Sequence, residues 1–416
     1  MGFVAAGMLP IVALNAQTAP PRDPIAPLPE GAAQPAEPPA PALPPPFWMP
    51  ADAQALLAYI NGVGADGLDP RDYKPELLVA AMRSGDPVTM SRVATERYLA
   101  LAADISLGHV RGKDRQDWHV IDDKFDEAAV LNTLRAALAR RDVAGSLNAM
   151  LPTHPQYLSL RAALPKIPAA DTRKINRVRL NMDRWRWLPR DLGEKYIIVN
   201  VPSFHATLVQ DGVTRWKKRA IAGAIKTKTP QLTANAVGVV LNPWWEVPPS
   251  ISREVAGKAG YVAVKGKDGK VQRWRQPPGP SNALGQMKFV MYNEHNIYLH
   301  DTNARSRFNS EVRALSHGCV RTQDIVELAK LLLADDNGEW TPNKVDETLK
   351  SGKSVTAKFV KPLPVYIVYF SSAALNDGTI VNYSDLYKRD DKVIAALLDH
   401  GKPKPTAAPQ KKTAAR

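Results

Sequence analysis

The hydrophobic period of this chain changes once, close to residue 190, and that change limits what it can fold into. Before it, apolar residues recur at helical spacing in Ala51–Ile60, Ser91–Ile105, Glu127–Arg140 and Pro155–Leu164. After it, from Lys195 on, the runs are short and strand-like. Tyr196–Val201 and Phe204–Val209 are followed by Asp211-Gly212, a strong hairpin signal. Further strands are expected at Val237–Leu241, Met287–Tyr292, Ile297–Leu299, Val355–Phe359 and Pro364–Phe370, with a short helix at Asp390–Leu398. The fold class is therefore α+β: a helical unit over 51–165 and a mainly β unit over 172–400. Between them, Lys166–Asp171 is a proline-flanked joint. It leads into a basic amphipathic helix, Arg173–Trp187, stopped by Pro189. Trp185 and Trp187 are expected to pack under the β unit while Arg184 and Arg186 face water.

The ends are different in kind. Residues 1–17 hold a short apolar run, Val4–Leu14, that suits the core of an export signal, although no Lys or Arg precedes it. Residues 18–50 are dominated by Pro and Ala and read as an extended linker that buries no core. Residues 401–416 read as a basic disordered tail. No later stretch is apolar enough to span a bilayer. The net charge of +14 points to an acidic partner. No helix-turn-helix, zinc-finger or RNA-reading signature accompanies it, so nucleic acid is not the expected partner. His109, His119, His154 and His205 stand apart from any catalytic grouping and read as structural or exposed.

The chemistry concentrates elsewhere. The sequence has a single cysteine, Cys319, within Ser316-His317-Gly318-Cys319-Val320-Arg321. Exported proteins usually pair their thiols or avoid them, so a lone one beside histidines is a candidate nucleophile. His300 lies at the end of an expected strand and close enough in sequence for a loop to fold it onto Cys319. A helix starting near Thr322, with Asp324 in its first turn, would place the thiol at a helix N-terminus. The helix dipole and a neighbouring imidazolium would then favour thiolate. The N–H groups of Gly318 and Cys319 are candidate oxyanion donors. Two other readings stay open from the residues alone. His300, Asp301, His317 and Cys319 are possible metal ligands, though no recognised zinc spacing is present. Cys319 is otherwise a buried structural thiol.

Ser316–Arg321 with His300 upstream resembles the signature of the L,D-transpeptidase catalytic domain. Asn242–Ile251, the stretch Gln276–Gly285 running into Lys288-Phe289, Asn181–Pro189 and the tail Val365–Asp390 resemble the family's large periplasmic branch. Ala65–Tyr73 is similar to that branch's scaffold domain. The resemblance implies a periplasmic enzyme that uses no cofactor and no metal and acts on peptidoglycan stem peptides. Cys319 would be acylated at diaminopimelate with release of D-alanine, and the acyl group passed to a second stem as a 3–3 cross-link. A carbapenem would acylate the same thiol. His300 would be the base, His317 a supporting group and Ser316 a turn-former. Arg321 would hold a substrate carboxylate or form a structural ion pair. Asp301 would orient His300 or cap the next loop, and Trp244 and Trp245 would line the cleft or pack as core. The segment 249–285 would be a capping insertion.

One departure from the branch is the absence of a small wall-binding domain between scaffold and catalytic units, where the chain passes directly from Leu164 to the Arg173 helix. Two rival functions share these residues. An L,D-carboxypeptidase would resolve the thioester with water, and a non-catalytic wall-binding protein would not form it. The sequence is silent on oligomeric state.

Overall fold

The computed structural model describes residues 44–400, apart from 121–124, 337 and 376. The expected export signal, most of the linker and the basic tail lie outside the described residues. The end of the expected linker does not behave as a spacer. Trp48 is fully buried, its indole Nε1 donates to Thr95 Oγ1 at 2.9 Å, and its ring meets Tyr98 edge-on. A large aromatic ring with a polar handle packs where its N–H finds an acceptor, and that overrides the extended bias of the neighbouring prolines.

The helical unit begins with α1 (Pro50–Gly62), α2 (Pro75–Arg83) and α3 (Pro87–Leu107). Proline at the first position starts each of these helices, and Asp86 caps α3 by accepting from Val88 and Thr89 N–H. A two-residue strand, β1 (Trp118–His119), precedes α4 (Glu127–Arg140), α5 (Val143–Asn148) and α6 (Pro155–Ala163). The joint leads into α7 (Thr172–Arg186), capped by Asp171. Leu56, Tyr98, Leu101, Leu134 and Tyr157 form the interior of this unit, which continues without a break into Tyr196, Tyr366, Val368 and Phe370 of the β unit.

α7 carries a correction. Trp185 does pack under the β unit, stacked between His154 and Phe370. Arg184 and Arg186, however, are buried and do not face water. Arg184 pairs with Asp390 at 2.8 Å, and Arg186 lies over the Tyr157 ring and donates to its hydroxyl and to Asp66 O. Amphipathic patterning puts charge outside only where water is the sole available partner. Here Asp390 of the second unit partners Arg184, and Tyr157 and Asp66 of the helical unit partner Arg186.

The β unit opens with β2 (Lys195–Asn200), β3 (His205–Gln210), β4 (Val213–Gly223) and β5 (Gln231–Leu241). The expected hairpin is present, with Asp211 and Gly212 both at positive φ. Next comes a small separate sheet. β6 (Trp245–Glu246), β7 (Val262–Lys265) and β8 (Val271–Gln276) pair in the order β6-β8-β7, with α8 (Ser252–Val255) beside them. Val247, Ile251 and Val255 give it a core of its own. The main sheet resumes with β9 (Met287–Met291), β10 (Leu299–His300), β11 (Ala314–Ser316) and β12 (Val320–Thr322). α9 (Ile325–Ala334) and α10 (Pro342–Ser351) lead to β13 (Val355–Val368). The two strands expected at Val355–Phe359 and Pro364–Phe370 are one strand with a register shift between Lys358 and Leu363. A short pair, β14 (Ser372–Ala374) and β15 (Ile380–Asn382), and then α11 (Asp390–Leu397) follow.

The main sheet runs β1-β5-β13-β2-β3-β4-β12-β10-β9, and β9 returns to pair with β5, so the path closes on itself. Its core is built from Val239, Phe289, Leu299, Val320, Ile367 and the apolar face of α9. Because side chains alternate along a strand, burying Leu299 and Val320 in this core forces their neighbours to the opposite face.

Candidate active site

Register assembles the site. β10 and β12 run parallel with Leu299 opposite Val320 and His300 opposite Arg321, while β9 runs antiparallel with Lys288 opposite His300. Leu299, Val320, Met287 and Phe289 point into the core. Lys288, His300 and Arg321 must therefore share the other face, together with Tyr298 and Cys319, two positions before His300 and Arg321. The ring of Tyr298 lies 5.7 Å from that of His300, and Lys288 Nζ sits 5.0 Å from the Tyr298 ring centre. Two residues expected to matter, His300 and Cys319, thus share one surface. Lys288, which the sequence offers only as the end of a resembling stretch, and Tyr298, to which it gives no role, complete it. Only the strand pairing reveals them.

His300 is buried, and its Nδ1 lies 2.5 Å from the main-chain oxygen of Asp301. A carbonyl oxygen can only accept, so Nδ1 carries the proton and Nε2 is left with its lone pair. Burial, followed by the charges of Arg321 and Lys288, pushes the imidazole down to about 3. Cys319 is half-buried. Burial pushes its thiol up, against the pull of hydrogen bonding from Tyr298 and of the charges on Lys288 and Arg321. Its Sγ donates to Asn296 O at 3.6 Å. The resting pair is therefore a neutral thiol beside a neutral imidazole.

This corrects the expectation of a thiolate at a helix N-terminus. Thr322 is the last residue of β12 and is buried, not a helix cap. α9 starts at Ile325 after Asp324, which adopts a left-handed conformation and makes no side-chain cap. Five residues, three of them in β12, separate the thiol from that helix. Thr322 and Asp324 have good capping chemistry, but pairing of Arg321 and Thr322 with Ile221 and Ala220 of β4 claims the backbone first.

The motif residues divide by role. Ser316 Oγ accepts from Gly318 N–H at 3.1 Å and donates to Cys319 O at 2.6 Å, holding the turn closed. The Gly318 N–H is thereby engaged and is not the free oxyanion donor expected of it. Gly318 itself sits at φ +119, where L side chains are strained. His317 is exposed, with Nε2 3.6 Å from Glu254 of α8. Asp301 directs its carboxylate away from His300, accepting from Gln286 N–H at 2.9 Å and pairing with Arg305 at 2.8 Å. Arg321 has a buried Nε without a partner and forms no ion pair among the described residues. The carboxylate of Asp301 and the ring of His317 turn to different partners. Among the described residues no group of His, Cys, Asp and Glu side chains is gathered to hold an ion.

Trp244 and Trp245 also part company. Trp244 packs under the Arg275 guanidinium at 4.3 Å, within the small sheet. Trp245 meets Tyr261 edge-on, and its indole and the Cys319 thiol both lie close enough to the Tyr298 hydroxyl to shift its titration. The small sheet is pinned at its base by buried Asn282, whose amide donates to Pro243 O, Gln276 O and Pro277 O at 3.0, 3.3 and 2.8 Å.

Fold and site together define a mainly β domain that presents a thiol and a neutral imidazole on one sheet face beside two cations. Residues 194–367 match the model of the L,D-transpeptidase catalytic domain, and residues 44–164 match a scaffold domain. The chain carries an L,D-transpeptidase catalytic domain preceded by a scaffold domain. It is 31% identical over 260 residues to a candidate L,D-transpeptidase of Haemophilus influenzae, covering 56% of this chain and 52% of that protein. It therefore spans about half the length of that curated relative. Solved structures with some likeness include an L,D-transpeptidase from Mycobacterium smegmatis (15% identity, TM-score 0.22, 42% of this chain and 58% of that one). A mutant of the Enterococcus faecium L,D-transpeptidase is similar at 12% identity and TM-score 0.24, over 42% and 50% of the two chains. At these scores the overlap in space is slight.

Proposed function

We propose that this protein is a peptidoglycan L,D-transpeptidase acting outside the cytoplasm, with Cys319 as nucleophile and His300 as base. The observation that supports this most directly is the shared sheet face of Cys319, His300, Lys288 and Arg321, fixed by register. No described helix is long and apolar enough to cross a membrane.

Each step follows from the protonation state. As Sγ attacks the carbonyl carbon of diaminopimelate in a tetrapeptide stem, its proton passes to the free Nε2 of His300. The Asp301 carbonyl, fixed on Nδ1–H, stabilises the imidazolium that forms. The Cys319 N–H and the Tyr298 hydroxyl face the oxygen on which negative charge develops. Nε2–H then protonates the departing amine of D-alanine, leaving a thioester. An amine of a second stem attacks that thioester, gives its proton to Nε2, and the proton returns to sulfur as the 3–3 link closes. Lys288 and Arg321 lower the cost of the anionic intermediate, and Arg321 also meets a substrate carboxylate. The small sheet β6-β8-β7, with the insertion 249–285 that carries most of it, acts as a cap that holds water off the thioester, with Glu254–His317 and Trp245–Tyr298 as its contacts to the site.

Mass spectrometry of products from defined tetrapeptide muropeptides tests this. A 3–3 linked dimer with release of D-alanine is expected, and Cys319→Ala abolishes both while remaining folded. Tripeptide without dimer would convert the reading to an L,D-carboxypeptidase. Dimer formation by Cys319→Ala would remove the nucleophile, and no reaction with folded wild-type chain would leave a wall-binding role.

A further inference from the structure

Beside the nucleophile's turn lies a cavity of about 630 Å³ that the mechanism above does not use. His317 and Gly318 form one wall. The other walls come from four distant parts of the chain: the loop 225–230 between β4 and β5, Gln116 and Asp117 ahead of β1, His295 and Ile297 between β9 and β10, and the segment 387–392 that leads into α11.

The charge in this cavity is one-sided. Lys226, Lys228, Lys388 and Lys392 line it, and all four are exposed. Asp117 is the single carboxylate on its walls, and that group is already paired with Arg389. Arg389 is itself held on the rings of Tyr369 and Tyr387 at 4.9 and 4.8 Å, so it serves as frame. Lys228 Nζ donates to Tyr387 O at 3.3 Å. No ion pair engages Lys226, Lys388 or Lys392 among the described residues. The basic character of the whole chain does not account for this. A second cavity, on the α9 side of the His300 loop, mixes Asp301, Asp324, Glu327 and Asp346 with Arg305, Lys330 and Lys350. Like charges crowded without counter-ions repel one another, and a cleft lined by one sign concentrates a ligand of the other.

We propose that this cavity seats the free carboxylates of a peptidoglycan stem, with Lys226, Lys388 and Lys392 as specificity-determining residues for acidic stem peptides. The inference rests on the acyl-transfer reading of Cys319 and extends it from the reacting bond to the substrate's side and terminal carboxylates. It also gives the C-terminal segment and the scaffold's Gln116–Asp117 a shared task, since both close the same pocket.

Calorimetric binding to the full chain carrying Cys319→Ala separates this proposal from turnover. The probe is the tetrapeptide L-Ala-γ-D-Glu-diaminopimelate-D-Ala, compared with its form amidated at the glutamate carboxylate. Added Lys388→Gln and Lys392→Gln, or Lys226→Gln, are expected to weaken binding of the acidic peptide about tenfold and to flatten its salt dependence. The amidated peptide should bind the parent more weakly and respond little to the substitutions. An unchanged melting temperature shows that the fold is intact. Equal affinity of parent and Lys variants for the acidic stem overturns the proposal. So does loss of binding to an anionic phosphate polymer with stem affinity preserved. Lysine-dependent stem binding in a wild-type chain that releases no D-alanine supports the pocket while ending the transfer reading.

Discussion

Nδ1 of His300 and the main-chain oxygen of Asp301 stand 2.5 Å apart, and that contact sets the tautomer on which the chemistry depends. It works through the peptide carbonyl and leaves the Asp301 carboxylate free to brace the loop through Arg305 and Gln286. The same buried ring is held neutral by desolvation and by two neighbouring cations.

A pH profile follows. His300 titrates at about 3 and Cys319 above the ordinary thiol range, so the pair keeps one protonation state across neutral pH. Alkylation of Cys319 by iodoacetamide should rise with a midpoint above about 8.5, the ordinary value for a free thiol. It should show no step between pH 6 and 7. A midpoint near 6, as in a preformed thiolate–imidazolium pair, would contradict the neutral resting state.

The loop that carries Asp301 meets the end of the small sheet at Gly285. A Cβ there would lie 2.4 Å from Asp301 Oδ2 and 2.6 Å from Thr302 N, at φ +61. Gly285→Ala must therefore displace the His300 loop, since neither backbone nor a buried ion-paired carboxylate yields cheaply. Acylation of Cys319 by a tetrapeptide is expected to slow by about tenfold or more, because small misplacement of a base is costly. Alkylation by iodoacetamide should change little. Equal loss of both would point to general unfolding.

The period switch, most helices and the Ser316–Arg321 turn were legible in the sequence because each is a local pattern. Lys288 and Tyr298 were not, since their place beside His300 depends on which strands pair and in what register. Thr322 misled for a related reason: its capping chemistry is genuine, but β4 competes for the same backbone. Arg184 and Arg186 misled because amphipathic spacing assumes water on the polar face, whereas Asp390 of the second unit covers one and Tyr157 and Asp66 of the helical unit the other. Trp48 lay inside a proline-rich stretch whose composition hid a single anchoring ring.

Buried charge at the joint between the two units yields a stability prediction. Asp183 is fully buried and accepts from His109 N–H at 2.6 Å, and from Val110 N–H and Trp187 Nε1 at 3.0 Å each. Arg186 lies 3.6 Å away. Asp183→Ala strands these donors without water, at about 1–3 kcal/mol for each unsatisfied group before relaxation. A loss of about 3–5 kcal/mol is expected in urea unfolding, and a loss below 1 kcal/mol would show that the network contributes little.

The joint should also be acid-sensitive, through His154. Its Nδ1 accepts from Gln156 N–H at 3.1 Å as the cap of α6, so its Nε2–H faces Tyr196 Oη at 3.2 Å. The ring stacks on Trp185 at 4.0 Å, and burial lowers its titration to about 4. An unfolded chain binds this proton near 6.5, so between about 6.5 and 4 the unfolded state holds more protons than the folded one. Stability is therefore complete above that window and falls as the pH drops through it. Protonating Nδ1 would also cost α6 its cap. His154→Asn keeps a capping acceptor but cannot titrate. Its urea midpoint should start lower at pH 7, because the stacked ring is gone, yet decline less between pH 7 and 4.5 than that of the parent. Parallel declines in the two proteins would assign the acid sensitivity to other groups.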